Sequence, residues 1–255
     1  MELFLATTTE HSNLLKAWDS EVAPFLGEPG GAWLEIGPGE GGHITRLRVA
    51  SHYDAGVGVE PDLSLHEPLA RNVPKLRVIG KLMQDATDEE ILARLPTEAD
   101  GAKRKHFRLA FLQHSLYYVN TEQGVEWLRR AANLLAPGGA IVAVMQAADS
   151  DYRRMFKAMF GVDQTSLEDV TAAFLEAHPG WQVHRISVPA VNRHANFSDA
   201  LAVADFMLSY LPELGMPPRS AVTAYIEEHF RVPADTHKYE AQSNQLVVVL
   251  VKPLA

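Results

Sequence analysis

The sequence predicts an α/β fold in which a mostly parallel sheet carries helices on both faces. Short apolar runs of strand length alternate with helical patterns five times within residues 32–146, and a glycine-rich turn follows the first run. Such alternation is typical of parallel sheets, because neighbouring parallel strands need a crossover helix between them. A chain of 255 residues with 47% hydrophobic residues is also large enough to bury one substantial core.

The elements follow in order along the chain. A first helix begins at Thr8 or Thr9, either of which can cap it, and Leu14, Trp18 and Val22 recur at helical spacing. The predicted strands of the alternating region are 32–37, 55–60, 75–80, 107–113 and 140–146. The helices expected between them are a short one through Leu47, then 62–71, 86–95 and 121–135. Beyond residue 150 the pattern predicts helices at 151–161, 166–178, 198–211 and 217–230, and strands at 181–188 and 246–251.

Composition excludes several classes of function. The 32 acidic residues exceed the 23 lysines and arginines, so the formal charge is −9 and a nucleic acid would meet net repulsion. The chain has 0 cysteines, which excludes disulfides, thiolate nucleophiles and cysteine-ligated zinc. No histidine pair has metal-ligand spacing with a third ligand nearby, so no metal is expected. With no targeting signal and no apolar run near ~18 residues, we expect a cytoplasmic monomer that acts on a small molecule, without membrane or nucleic-acid partners.

The glycine-rich turn reads Glu35-Ile-Gly37-Pro-Gly39-Glu-Gly41. Glycine lets the backbone turn sharply and come close to a ligand. Glu60 ends the next strand about 20 residues later, where a carboxylate can accept hydrogen bonds from both ribose hydroxyls of an adenine nucleoside. The spacing therefore predicts a site for an adenosine-containing cofactor, and the alternative for Glu60 is a surface carboxylate at a strand end.

Both NAD and S-adenosylmethionine bind at such a turn, and three features favour S-adenosylmethionine. Glu35 lies inside the first strand, where an acid can hold the ammonium of the cofactor's amino-acid end or an ordered water. Glu40 would repel a pyrophosphate at the helix start. Leu-Leu-Ala-Pro-Gly-Gly (134–139) precedes the fifth strand. Together with Val59-Glu60, these motifs resemble those of class I S-adenosylmethionine-dependent methyltransferases over roughly residues 32–146.

This resemblance implies a Rossmann-like class I fold. The sheet would have seven strands, mostly parallel, with an antiparallel last pair formed by 181–188 and 245–252 and a small helical substrate-binding lid. It also implies S-adenosyl-L-methionine as the cofactor. The cofactor-binding residues that it implies are Glu35, Gly37, Gly39, Gly41, Glu60, Asp85 and Gln113.

The chain as a whole is similar to the histamine N-methyltransferase family. The shared residues include Thr9-Glu10-His11, Leu116-Tyr117-Tyr118-Val119 and Asn244-x-Leu246. The similarity implies methyl transfer to a nitrogen of a small amine or heteroaromatic molecule. The implied single domain spans 1–255, with its core at about 30–150 and 180–255 and its lid elements at about 1–27, 150–178 and 193–232.

The same similarity implies the acceptor-binding residues. In that family a glutamate, a glutamine and an asparagine hold the substrate, and Glu10, His114 and Asn244 fall at those positions. Because His114 replaces the glutamine, we expect an acceptor other than histamine itself. Tyr118 would stack on the acceptor ring, and His114 and Tyr118 are the expected catalytic residues. The aromatic residues that the similarity adds to the pocket are Tyr152, Phe156 and Phe206.

Other interpretations of these residues stay open. Glu10 also fits a first-turn acid that complements the helix dipole, and Asn244 fits a turn before a strand. The cofactor site is equally compatible with O- or N-methylation of a natural-product intermediate, with His114 as general base. A non-catalytic scaffold that binds S-adenosylmethionine is a third possibility, from a different functional class.

Overall fold

The computed structural model of the chain describes residues 2–98, 102–209 and 211–254. Its strands are β1 (Ala32–Ile36), β2 (Ala55–Val59), β3 (Leu76–Ile79), β4 (Phe107–Gln113), β5 (Leu135–Gln146), β6 (Gln182–Val188), β7 (Val191–His194), β8 (Arg231–Val232), β9 (Asp235–Gln242) and β10 (Gln245–Val251). Seven of them form one sheet in the order β3-β2-β1-β4-β5-β10-β6. Strands β1 to β5 are parallel to one another, whereas β10 is antiparallel to both β5 and β6. The predicted seven-stranded sheet with an antiparallel last pair is confirmed.

The α-helices are α1 (Glu2–Thr7), α2 (Glu10–Ala17), α3 (Gly42–Arg46), α4 (Val49–His52), α5 (His66–Asn72), α6 (Asp88–Ala93), α7 (Thr121–Leu134), α8 (Asp151–Phe160), α9 (Leu167–Ala177), α10 (Phe197–Leu208) and α11 (Arg219–His229). Apart from α1 and α4, the α-helices of the described residues lie close to the predicted positions. Capping boxes start α6 and α7. The side chains of Thr87 and Asn120 each accept a hydrogen bond from the backbone N–H three residues later, and the side chain of that later residue accepts one from the backbone N–H of Thr87 or Asn120. The first predicted helix corresponds to α2, which follows Thr9, whereas α1 was not predicted. Thr8, between the two helices, bridges to Asn192 of β7.

Side chains of the buried strands alternate between two hydrophobic layers. All five residues of β1 are buried, with Leu34 and Ile36 in one layer and Trp33 in the other. The first layer includes residues of α7 and α9, and the second includes residues of α2 and α5. Because both faces of the parallel strands are covered, their sequences are continuous apolar runs rather than alternating ones.

A second, smaller unit is connected to the main sheet where β5 and β6 end and where β10 begins. It contains a three-stranded sheet in the order β7-β9-β8, which packs with α1, α8, α10 and α11 around its own hydrophobic cluster. The predicted lid was helical only, and that part of the prediction is wrong. Strand β9 alternates buried Tyr239 and Ala241 with exposed Lys238, Glu240 and Gln242, as a half-buried strand does.

The lid boundaries also differ from the predicted ones. Leu167, Val170 and Phe174 of α9 pack in the layer beside α7, β5 and β10, so α9 belongs to the core although 150–178 was assigned to the lid. Strand β9 lies in the lid sheet although 235–242 was assigned to the core. Among the described residues, no helix combines the length and apolarity needed to cross a membrane.

Candidate functional site

The glycine turn lies at the carboxyl ends of the parallel strands, where ligands bind in open α/β sheets. Gly37, Gly39 and Gly41 all have positive φ angles, of 71°, 55° and 76°, which other residues seldom adopt. A Cβ on Gly37 would lie 2.7 Å from Ser115 Cβ, so that glycine lets β1 and the loop after β4 meet. A Cβ on Gly39 would meet nothing within 4 Å. The middle of the turn is therefore open to a ligand.

Glu60 links the glycine turn to the end of β2. Its Oε2 accepts the Gly39 N–H at 2.9 Å, and its Oε1 accepts the Asp62 N–H at 3.0 Å. The side chain is 6% exposed. A buried carboxylate with two hydrogen bonds beside an open turn fits the predicted binding of ribose hydroxyls, and it also holds the turn in place.

Glu35 is fully buried in β1 and faces His43 of α3. His43 Nε2 lies 2.9 Å from Glu35 Oε1. Burial raises the pKa of the Glu35 carboxyl well above its usual value. Burial, followed by the charges of His114 and Arg46, lowers the pKa of His43 to about 3. Both shifts favour the neutral forms, so the pair is a neutral hydrogen bond in which the carboxyl donates to the imidazole nitrogen.

We expect the stability of a Glu35→Gln variant to depend less on pH than that of the wild type. Because the folded pKa of Glu35 is raised, the folded state holds a proton that the unfolded state releases above the usual carboxyl pKa. Wild-type stability therefore falls as pH rises through that window, by up to ~1.4 kcal/mol per pH unit. Glutamine is always neutral and still hydrogen bonds to His43.

Thermal denaturation between pH 5 and pH 8 measures this difference. The melting temperature of Glu35→Gln relative to wild type is expected to rise with pH, by about 2–4 °C per kcal/mol for a chain of this size. Glu40→Gln is the matched control, since Glu40 is exposed on the same turn. A Glu35→Gln difference that stays constant across this range contradicts the neutral pair.

Three buried polar atoms beside the turn lack hydrogen-bond partners among the described residues. They are Glu35 Oε2, Gln113 Oε1 and Ser115 Oγ, at the ends of β1 and β4. Buried polar groups are normally satisfied, so these atoms indicate a polar ligand at this point. A cofactor whose amino-acid end carries an ammonium and a carboxylate fits this set. Asp85, also predicted for the cofactor, is exposed in the loop after β3.

Arg130 of α7 holds the loop that carries Asp85. Its guanidinium donates to the carbonyls of Met83 and Ala86, and it forms an ion pair with Asp88 at 2.9 Å. Sequence patterns do not single out this arginine, because its partners lie more than 40 residues away along the chain.

His114 and Glu10 meet above the end of β4. His114 Nε2 lies 2.8 Å from Glu10 Oε1, although 104 residues separate them. Glu10 is 1% exposed, and its Oε2 accepts a hydrogen bond of 3.1 Å from Gln245 Nε2 of β10. His114 has a φ of 57°, an uncommon conformation that points to a constrained functional position.

Tyr117 completes this group. Its hydroxyl oxygen accepts the Gln146 backbone N–H at 2.7 Å and lies 3.3 Å from His114 Nδ1, and its ring stacks on the imidazole at 5.7 Å. The Tyr117 hydroxyl can then donate its hydrogen to Nδ1, which leaves the hydrogen on Nε2 for Glu10. Burial raises the Tyr117 pKa, so the phenol stays protonated.

The other predicted acceptor residues lie elsewhere. Tyr118 is 61% exposed, and partial desolvation together with the charge of nearby Glu60 raises its pKa. Asn244 accepts the Ala190 N–H and donates to Asp149, each at 3.2 Å, so it organises a turn and does not contact Glu10.

The predicted aromatic residues belong to the hydrophobic cluster of the lid. Tyr152 is 2% exposed and its hydroxyl lies 3.1 Å from His194 Nε2, while Phe156 is 1% exposed. Phe206 is half-buried with its ring 6.2 Å from that of Phe4. The structure thus groups Glu10 and His114 with Tyr117 and Gln245, two residues that the sequence analysis did not assign to the acceptor.

Comparison with known proteins places this site in a family. A family model described as a methyltransferase domain matches residues 10–207. Similar solved structures include the YcgJ protein from Bacillus subtilis (TM-score 0.59, 12% identity, covering 94% of this chain and 99% of that chain). The N-methyltransferase NodS from Bradyrhizobium japonicum gives a TM-score of 0.53 at 13% identity, over 96% and 94% of the two chains. A cyclopropane-fatty-acyl-phospholipid synthase-like protein from Lactobacillus casei gives 0.57 at 17% identity, over 94% and 90%.

At these identities the structural matches show the fold, and the family model shows the family. No curated protein matches the chain. None of these matches points specifically to histamine N-methyltransferases. The described residues contain no cluster of side chains suited to a metal ion. The family model matches residues 10–207, and the structure has an open glycine turn with Glu60 beside it. The chain therefore belongs to the S-adenosylmethionine-dependent methyltransferases.

Proposed function

We propose that the protein transfers a methyl group to a nitrogen of a small amine or heteroaromatic molecule. The observation that carries this proposal is the buried Glu10–His114 pair beside the cofactor turn. A buried carboxylate stabilises a positive charge on the acceptor, and an imidazole can take up a proton. The resemblance to histamine N-methyltransferases points in the same direction, without naming the acceptor.

The cofactor contributes an electrophilic methyl group on a positively charged sulfur. The chain's own residues mainly have to position the acceptor and exclude water. Glu60 and the glycine turn would hold the nucleoside, while Glu35 and Gln113 would face the amino-acid end. Tyr118 is exposed near Glu60, and this position beside the cofactor site supports it as the residue that stacks on the acceptor ring.

Proton handling supports the assignment of His114. An aliphatic amine is protonated at neutral pH and must lose a proton before it can attack. With its Nε2 hydrogen donated to Glu10, His114 has Nδ1 as its proton acceptor, and the 3.3 Å contact with Tyr117 is long enough to be exchanged for the acceptor. If the acceptor atom is instead a nitrogen of a heteroaromatic ring with a free lone pair, the reaction needs no base. His114 would then only orient the acceptor.

Methylation of an oxygen is the second candidate. A carboxylate–imidazole pair is also the arrangement that activates a hydroxyl group, and the same Glu10–His114 contact therefore supports it. The two candidates differ in the charge of the acceptor, since a hydroxyl compound can bind as a neutral molecule. A non-catalytic scaffold would bind the cofactor and methylate neither.

A screen with radiolabelled S-adenosylmethionine tests these alternatives. We expect label in cationic amines or heteroaromatics, and less in hydroxyl compounds of the same size. Glu10→Gln should lower kcat/KM for a cationic acceptor by about tenfold to hundredfold, because it removes a charged hydrogen-bond partner worth ~1.5–3 kcal/mol. Its effect on cofactor binding should be small.

The matched control is Glu21→Gln, since Glu21 is an exposed acid in the same N-terminal region. Equal losses for cationic and neutral acceptors would mean that Glu10 is structural. Label in hydroxyl compounds alone would favour oxygen as the acceptor atom, and cofactor binding without any labelled product would favour the scaffold.

A further inference from the structure

Arg46 is a cation beside the glycine turn. It ends α3, and its guanidinium folds back over the start of that helix, so that a Cβ on Gly42 would lie 3.2 Å from the nearest guanidinium nitrogen. Among the described residues, no carboxylate lies within ion-pair distance of Arg46. The side chain reaches solvent, and its surroundings desolvate it enough to lower its pKa.

His11 of α2 lies near Arg46. Its Nε2 is buried and has no hydrogen-bond partner among the described residues. Burial lowers the pKa of His11, the Arg46 charge lowers it further, and Glu10 opposes both. His11 is therefore neutral at physiological pH, with a ring nitrogen that can donate a hydrogen bond. Helices α2 and α3 pack together, and the Arg46 charge acts on the His11 ring, so the two side chains are neighbours.

The acidic side chains Glu35 and Glu10 near the turn have hydrogen-bond partners within the protein. Glu35 is paired with His43, and Glu10 is paired with His114 and Gln245. Among the described residues Arg46 forms no ion pair, and the charge of Glu10 only partly offsets the effect of burial on its pKa. The amino-acid end of S-adenosylmethionine has an ammonium and a carboxylate, and an acid such as Glu35 can serve only the ammonium.

We propose that Arg46 and His11 bind the carboxylate of the cofactor's amino-acid end. The guanidinium supplies the charge and the fork of donors that suit a carboxylate, and the imidazole supplies one further hydrogen bond. This subsite depends on the cofactor and not on the identity of the methyl acceptor.

Titration calorimetry with ligands that differ only at the amino-acid end tests the subsite. The first pair is S-adenosylmethionine and its decarboxylated form, and the second is S-adenosylhomocysteine and 5′-methylthioadenosine. Arg46→Met should weaken binding of the two ligands that have the carboxylate by about tenfold to hundredfold. Binding of the two ligands that lack it should change by less than about threefold. His11→Phe should show the same selectivity with a smaller loss.

Two further variants make the test specific. Arg48→Met is the matched control, because Arg48 is an exposed arginine that forms an ion pair with Asp19 at 3.8 Å. This variant should leave all four affinities unchanged. Arg46→Lys should recover part of the lost affinity. An Arg46→Met variant that loses affinity equally for ligands with and without the carboxylate, or loses none, overturns the proposal. Failure of the wild type to bind S-adenosylmethionine would overturn the cofactor assignment and this subsite with it.

Discussion

Glu60→Ala is expected to weaken S-adenosylmethionine binding by on the order of a hundredfold or more. The substitution removes an acceptor for the ribose hydroxyls, and each charge-assisted hydrogen bond contributes ~1.5–3 kcal/mol. It also removes the bond of 2.9 Å to the Gly39 N–H, which holds the glycine turn near its ligand-binding form. Titration calorimetry with S-adenosylmethionine and S-adenosylhomocysteine measures the loss.

Two further variants distinguish the loss of contacts with the cofactor from a general loss of structure. Glu67→Ala removes an exposed acid from α5, the next helix, and should leave the affinity unchanged. Glu60→Gln keeps one acceptor oxygen and should lie between wild type and Glu60→Ala. If Glu60→Ala binds S-adenosylmethionine as tightly as wild type, the ribose assignment is wrong.

His114→Asn is expected to lower kcat by about a hundredfold or more while cofactor affinity changes little. A positioned base contributes ~10²–10⁴ to the rate, and asparagine cannot accept the proton. Asparagine tolerates the positive φ of 57° better than most residues, so the variant tests the imidazole and not the backbone. Steady-state kinetics at several pH values, with calorimetry for the cofactor, gives both quantities.

The matched control is His106→Asn, since His106 is exposed just before β4 at the opposite end of that strand. Turnover of His114→Asn within about tenfold of wild type would show that His114 neither transfers a proton nor orients the acceptor.

The fold was predictable because its signals are local. Strand β1 is five buried residues followed by glycines, and both features depend only on neighbouring positions. The lid sheet was missed because β7 has only four residues and β8 two, too few for a clear alternation. The pairing of β7 with β9 also joins residues that are about 45 or more positions apart, such as His194 and Tyr239, which no local pattern records.

The cofactor site was more accessible to sequence reasoning than the acceptor site. Glu60 and the glycines follow a fixed spacing within one strand–helix–strand unit. Glu10 and Gln245, in contrast, are 235 residues apart and meet only in the folded chain. Neighbouring residues also differ in their contacts. Gln245 hydrogen bonds to Glu10 while Asn244, predicted to bind the acceptor, organises a turn, and Tyr117 stacks on His114 while Tyr118 is exposed.

A crystal structure of the complex with S-adenosylhomocysteine tests the central claim most directly. The account expects the ribose hydroxyls within hydrogen-bond distance of the Glu60 carboxylate and the backbone of the glycine turn against the ligand. The sulfur should lie on the side of the cleft that holds His114 and Glu10. A nucleoside bound away from Glu60, or a sulfur facing away from His114, would contradict the account.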